Sequence, residues 1–159
     1  MKGNKEMIGW LNRCLGTDLA AIDIYFIQSR MFEDWGLSRL HERLNHEMEH
    51  ERLHASKLIE RILFLEGQPV LTARKEYEVG TDVPSMLQAD LSYELAGVAE
   101  LREAIAFAES AQDYASRELL ESLLQESEED HVYWLEQQIG LIERMGLANY
   151  LQSNAGGAA

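Results

Sequence analysis

Two short patterns in this chain pair a carboxylate with an imidazole one helical turn apart. They are Glu51-Arg52-Leu53-His54 and Glu128-Glu129-Asp130-His131. Residues three apart share one face of a helix, so each pair can aim at one centre. A chain of this composition yields such a match by chance, and a third, Glu47-Met48-Glu49-His50, also occurs. The duplication is what carries weight. Asp18 precedes Glu51 by 33 residues and Glu94 precedes Glu128 by 34, while the two motifs stand 77 apart and the two lone acids 76 apart. Each half of the chain therefore offers one acid plus one E-x-x-H. Four carboxylates and two imidazoles without a thiolate suit two divalent ions of iron, manganese or zinc. Iron is favoured by Tyr25, two turns from Asp18, because a phenol beside a metal pair can supply or relay an electron. The alternative for Tyr25 is a core tyrosine with a satisfied hydroxyl.

These residues sit in apolar seams of helical period. The first seam reads Ile8, Leu11, Leu15, Asp18, Ile22, Tyr25, Ser29, and the third reads Leu87, Leu91, Glu94, Val98, Leu101, Ile105, Ala108. The second carries Leu40, Leu44, Glu47, Glu51, His54, Leu58, Ile62 and Leu65, and the fourth Leu120, Leu124, Glu128, His131, Leu135, Ile139 and Ile142. An ionised carboxylate in a core costs several kcal/mol unless it is paired. The arginines mostly fall off the stripes, so the counter-charge expected is metal.

Gly and Pro punctuate the helices sparsely. Four long helices are expected, at roughly 5–34, 38–66, 84–111 and 114–145, with a short fifth at 147–153 and a loose C-terminal tail. Asp82 and Pro84 mark the start of the third. Short links near Gly36 and Gln112 make antiparallel pairs. A helix of about 28 residues is about 42 Å long, and the link from Gly67 to Asp82, of about 16 residues, spans that if extended. The expected fold is all-α, a single domain over 1–159: a four-helix bundle with one long crossover, the connectivity of ferritin-like proteins.

The net charge of −14 excludes simple nucleic-acid binding, which needs a basic face, and disfavours an anionic membrane. The single cysteine, Cys14, is expected to be a buried free thiol, which fits a reducing compartment. With no signal-type apolar run, the expectation is a cytoplasmic protein with no membrane partner.

The local sequence resembles bacterioferritin over nearly the whole chain. The resemblance rests on Tyr25-Phe26, Ser29-Arg30-Met31, Asp34-Trp35-Gly36, IERILFLEG at 59–67, LREAI at 101–105 and GLANYLQ at 146–152. It implies iron storage with ferroxidase activity: Fe(II) is oxidised by O2 or H2O2 at an intrasubunit di-iron centre, and ferric mineral is kept inside a 24-subunit shell. Carried over, the ligands of two iron ions per subunit would be Asp18, Glu51, His54, Glu94, Glu128 and His131, with Glu51 and Glu128 bridging and Tyr25 as a redox tyrosine. His46, Glu47 and His50 resemble inner-surface residues that pass iron or electrons, the alternative being a solvated inner face. Asn149 and Gln152 become channel candidates on the last helix. A ferredoxin-type reductant is a candidate partner for iron release.

Three departures stand out. Asp18 replaces the family's Glu and shortens the reach by about 1.5 Å. Arg52 occupies the position of the haem-ligating Met, and a guanidinium cannot ligate haem iron, so no haem is expected in the homo-oligomer. The fourth helix has one extra residue between Arg117 and Glu128, which a π-bulge can absorb. These departures leave open an alternative, a shell subunit with an impaired di-iron site that works in a mixed shell with a haem-binding partner subunit. A DNA-protecting mini-ferritin and a ferritin-like oxygenase are more distant rivals. The missing basic tail and the fifth helix weigh against the first of these, and the second needs an open substrate pocket.

Overall fold

The computed structural model of the chain describes residues 1–71 and 77–156. The middle of the crossover and the last three residues of the tail expected to be loose lie outside the described residues. The helices are α1 (Lys5–Asp34), α2 (Ser38–Phe64), α3 (Val83–Ser110), α4 (Tyr114–Glu126), α5 (Tyr133–Met145) and α6 (Leu147–Asn154), with a π-helical turn, Ser127–Val132, between α4 and α5. Among the described residues there is no strand, and no helix is long and apolar enough to cross a membrane.

Side-chain caps set the starts of α1, α3 and α4. Asn4 Oδ1 accepts from the amides of Glu6 and Met7 at 2.8 and 3.2 Å. Asp82 and Ser85 form a reciprocal capping box with Pro84 in the first turn of α3, which satisfies donors that would otherwise be orphaned. Asp113 caps α4 by accepting from Ser116 N at 3.1 Å. The tight links need left-handed backbone at Gly36 (φ 75°) and at Gln112 (φ 56°). α2 ends two residues before the expected Glu66, which itself turns with φ 60°.

α1 packs along α2, and α3 along α4 and α5. The end of α2 and the start of α3 lie at opposite ends of the bundle. Gly3 N donates to Leu65 O at 2.9 Å, which puts the end of α2 beside the start of α1. The start of α3 packs with Phe32, Leu37 and Leu40 at the other end. The crossover therefore joins opposite ends of the bundle, and Gln28 Nε2 holds its far end by donating to Val79 O at 3.0 Å.

The core is split into two apolar clusters. One gathers Met7, Leu11, Leu15, Leu58, Ile62, Ala104, Ala108, Leu120 and Leu123. The other gathers Ile24, Phe32, Leu40, Leu44, Met86, Leu87, Leu135 and Tyr150. On every long helix the polar candidates fall between the two. Asp18, Glu51, Glu94 and His131 thus form a polar layer closed above and below by apolar packing. Burying one Leu in such a plug is worth about 2 kcal/mol, so the plugs hold a layer that would be unfavourable by itself. Arg61 ties α2 to the start of α4, donating to Asp113 Oδ1 and to Ser116 Oγ, each at 2.9 Å. Cys14 is buried and free, as expected, and its thiol is pushed up by burial and by the nearby Glu100 and Asp18 carboxylates.

Candidate metal centre

Glu51 stands at the middle of the polar layer and is 3% exposed. On one side, Asp18, Glu51 and His54 each offer a ligand atom within 4.8 Å of one another. On the other side, Glu51, Glu94 and His131 do the same. The two groups share Glu51, so one carboxylate can bridge two ions. Five of the six expected ligands are brought together, from α1, α2, α3 and the π-helical turn.

Glu128 is the exception. Its Oε1 accepts from Arg102 Nη2 at 3.0 Å, with the side chain 40% exposed. The reason lies in the extra residue. The buried stripe of α4 runs Leu120, Leu123, Ser127, His131, not Leu120, Leu124, Glu128. The wider turn at Ser127–Val132 absorbs the insertion at and after Glu128 rather than before it. Glu128 is thereby left one position round the helix from the seam, Ser127 takes its inward place, and His131 returns to phase.

A third group adjoins the first two: Glu47, His50, Asp130 and His131. Glu47 Oε2 lies 2.6 Å from His131 Nε2. Yet both Glu47 oxygens and His131 Nε2 are buried without a well-aligned hydrogen bond. Arg43 Nη2 reaches Glu47 Oε1 at 2.6 Å and Asp130 Oδ1 at 2.8 Å, so one arginine touches the edge of the centre. His46 is exposed, and its ring lies 4.1 Å from that of His50. The series His46, His50, His131 thus leads from solvent to the centre.

Tyr25 is buried and its hydroxyl donates to Glu94 Oε1. Arg52 is exposed and donates to Glu49 at 3.0 Å. Asn149 and Gln152 are exposed on α6, and Asn149 Nδ2 donates to Met145 O at 2.7 Å. Sequence reasoning missed three neighbours. Glu126, exposed, pairs with His54 Nε2. Asp130 pairs with Arg43, and Tyr93 lines the cavity that Asp18, Glu51 and Glu94 also line. Only Asp130, next to His131, carried a signal.

The electrostatics follow from burial and mutual pairing. Burial pushes Asp18 well above the carboxylate range, and the nearby Glu51 and Glu94 charges add to it. Glu94 is also raised, by burial first and by Glu51. Burial would raise Glu51 too, but bonds to His131 and His54 hold it down to about 2. Burial opposes charge on the histidines, and it is overcome by carboxylates. His131 is raised by the adjacent carboxylates of Glu47, Glu51 and Glu94, and His54 by those of Glu51 and Glu126. The layer thus favours protons on its acids and imidazoles where cations could stand, and such a donor set fits two dications of intermediate hardness.

A bundle of two antiparallel helical hairpins around a buried cluster of carboxylates and imidazoles defines a class of helical metal-binding proteins. Residues 8–145 match the Ferritin-like domain, and the chain belongs to the ferritin-like family. It is 55% identical to a bacterial ferritin of Synechocystis sp. over 153 residues, covering 96% of this chain and 98% of that one. The bacterial ferritin of Pseudomonas aeruginosa is likewise 55% identical, with 96% and 99% covered. A bacterioferritin of Brucella melitensis is 37% identical, with 98% and 96% covered.

Proposed function

We propose that the chain stores iron and acts as a ferroxidase, oxidising Fe(II) with O2 or H2O2 and keeping the ferric product inside a shell of 24 copies. The observation that carries this reading is the sharing of Glu51 between two ligand groups in a layer sealed by apolar packing. Asp18, Glu51 and His54 would hold one iron and Glu51, Glu94 and His131 the other. Asp18, despite its shorter reach, lies within ligand distance of its partners. Glu128, on the surface side of the seam, is not needed for either group.

Binding removes protons from Asp18, Glu94 and both histidines, so the residues exchange proton charge for metal charge. Two Fe(II) yield two electrons, which reduce one H2O2 and two protons to two waters, or O2 to peroxide. His46, His50 and Glu47 support passage of iron or electrons between the interior and the centre. Asn149 and Gln152 on α6 remain channel candidates, and a ferredoxin-type reductant a candidate for release. The guanidinium of Arg52 has no lone pair to offer haem iron, which supports a shell without haem unless another subunit type supplies the ligand. The chemistry suits a reducing, cytoplasmic setting.

The test is addition of two Fe(II) per chain under argon, then O2. A rapid near-ultraviolet rise with a saturation at two irons is expected, together with a solution mass of about 440 kDa, twenty-four times the 18.2 kDa chain. A flat trace from protein of that mass would favour the impaired subunit of a mixed shell.

A further inference from the structure

Asp90 is a carboxylate with no access to solvent, one turn before Glu94 on α3. Its Oδ1 accepts from Tyr77 OH at 2.7 Å and from Gln28 Nε2 at 2.7 Å. Its Oδ2 is buried without a hydrogen-bond partner among the described residues. The ring of Tyr77 meets that of Tyr93 edge to face, with centroids 5.2 Å apart and planes at 86°. Tyr93 in turn lines the cavity of Asp18, Glu51 and Glu94. Tyr77 is half-buried on the crossover, so the series runs from the outside of the bundle to the candidate metal centre.

We propose that Tyr77 and Asp90 form a proton-coupled redox pair that supplies electrons to the metal centre through the ring of Tyr93. A phenol gives up an electron readily only if its proton leaves at the same time. A carboxylate at hydrogen-bond distance provides the place for that proton. Burial, partly offset by the bonds from Tyr77 and Gln28, brings Asp90 up to about 7, so it can hold the proton and later release it near neutral pH. Among the described residues, no carboxylate accepts from the Tyr93 hydroxyl. Its hydroxyl donates to the Thr17 carbonyl at 2.9 Å, which cannot keep a proton, so Tyr93 passes charge and Tyr77 retains the oxidised state.

The inference rests on the ferroxidase reading and serves it when only one Fe(II) is bound. Reduction of H2O2 to two waters takes two electrons and two protons. A single Fe(II) gives one electron and becomes Fe(III), and alone it would leave hydroxyl radical. Tyr77 gives the second. Its O–H bond breaks, the proton passes to Asp90 Oδ1, and the electron travels through Tyr93. One Fe(II), one H2O2, the Tyr77 phenol, the Asp90 carboxylate and two solvent protons thus become Fe(III), two waters, a neutral tyrosyl radical and a protonated Asp90. A later Fe(II) reduces the radical and Asp90 returns the proton.

The experiment loads the intact protein with one Fe(II) per chain under argon, adds one equivalent of H2O2, and freezes samples for electron paramagnetic resonance while Fe(III) is read in the near ultraviolet. In Y25F the tyrosyl signal is expected to persist. In Y25F/Y77F and Y25F/Y93F it falls at least fivefold, although Y93F leaves the Tyr77–Asp90 bond in place, so a merely structural role for that bond would not move it. Should Y77F not fold, 3-fluorotyrosine at position 77 keeps the hydroxyl and must add fluorine hyperfine splitting to the signal. Fe(III) formation with an undiminished signal in Y25F/Y77F, with no signal in Y25F, or with no fluorine splitting overturns the pair alone. Absence of Fe(III) in the wild-type protein overturns the ferroxidase reading and the pair with it.

Discussion

Glu51 Oε1 lies 3.0 Å from His131 Nδ1, and the other oxygen of the same carboxylate lies 3.7 Å from His54 Nδ1. One side chain on α2 thereby faces imidazoles from both hairpins. This makes the centre a joint between hairpins as well as a place for ions. The charge of Glu51 lowers the cost of two buried imidazoliums, and their charge lowers the cost of Glu51.

Replacing Glu51 with Gln keeps the shape and removes the shared charge. Both metal groups lose their common ligand. The E51Q variant is expected to bind fewer than one Co(II) per chain in titration and to oxidise Fe(II) at least tenfold more slowly. Retention of two-metal binding would show that Glu51 is not the bridge.

Glu128 points away from the two ligand groups while Glu47 adjoins them, and paired substitutions separate their roles. E128Q removes a surface ion pair with Arg102, of a kind worth at most about 1 kcal/mol. It should keep two-metal binding and the rate of the first turnover within about twofold. E47Q removes the carboxylate 2.6 Å from His131 Nε2, and it should slow transfer out of the centre over repeated additions of Fe(II). Loss of the second metal in E128Q would restore Glu128 to the ligand set.

Much of this centre was legible because helical period and burial conflict openly at Asp18, Glu51, Glu94 and His131, where an acid or imidazole interrupts an apolar seam. Caps were equally legible at Asp82 and Pro84, since they act within one turn. The position of Glu128 was not. An extra residue announces a wider turn without saying on which side of the motif it falls, and that depends on how Leu123 and Ser127 pack against the other helices. The Tyr77–Asp90 and His54–Glu126 pairs were also hidden, for they join residues 13 and 72 apart whose contact depends on the course of the crossover and on the helix register.

Metal binding must release protons, because Asp18, Glu94, His54 and His131 all hold them more tightly than usual in the metal-free protein. Each raised group favours the protonated, metal-free form until the pH exceeds its folded value. Affinity for Co(II) or Zn(II) is therefore expected to rise with pH across the neutral range. Calorimetric titration in buffers of different ionisation enthalpy should show more than one proton released per chain. A release near zero at pH 6.5 would contradict the proton-filled layer.

Asp90 sets a separate pH dependence in the metal-free protein. Its folded value is raised from 3.8 to about 7, so between those limits the folded chain binds a proton that the unfolded chain has released. Stability linked to this group is complete at low pH and declines as pH climbs through that window. Three units correspond to at most about 4 kcal/mol. D90N keeps acceptor and shape without the ionisation. Chemical denaturation of the metal-free protein at pH 5 and pH 8 should therefore show a smaller loss of stability for D90N than for the wild type, by about 2 kcal/mol or more. Equal losses would place the Asp90 proton elsewhere and remove the acceptor on which Tyr77 oxidation depends.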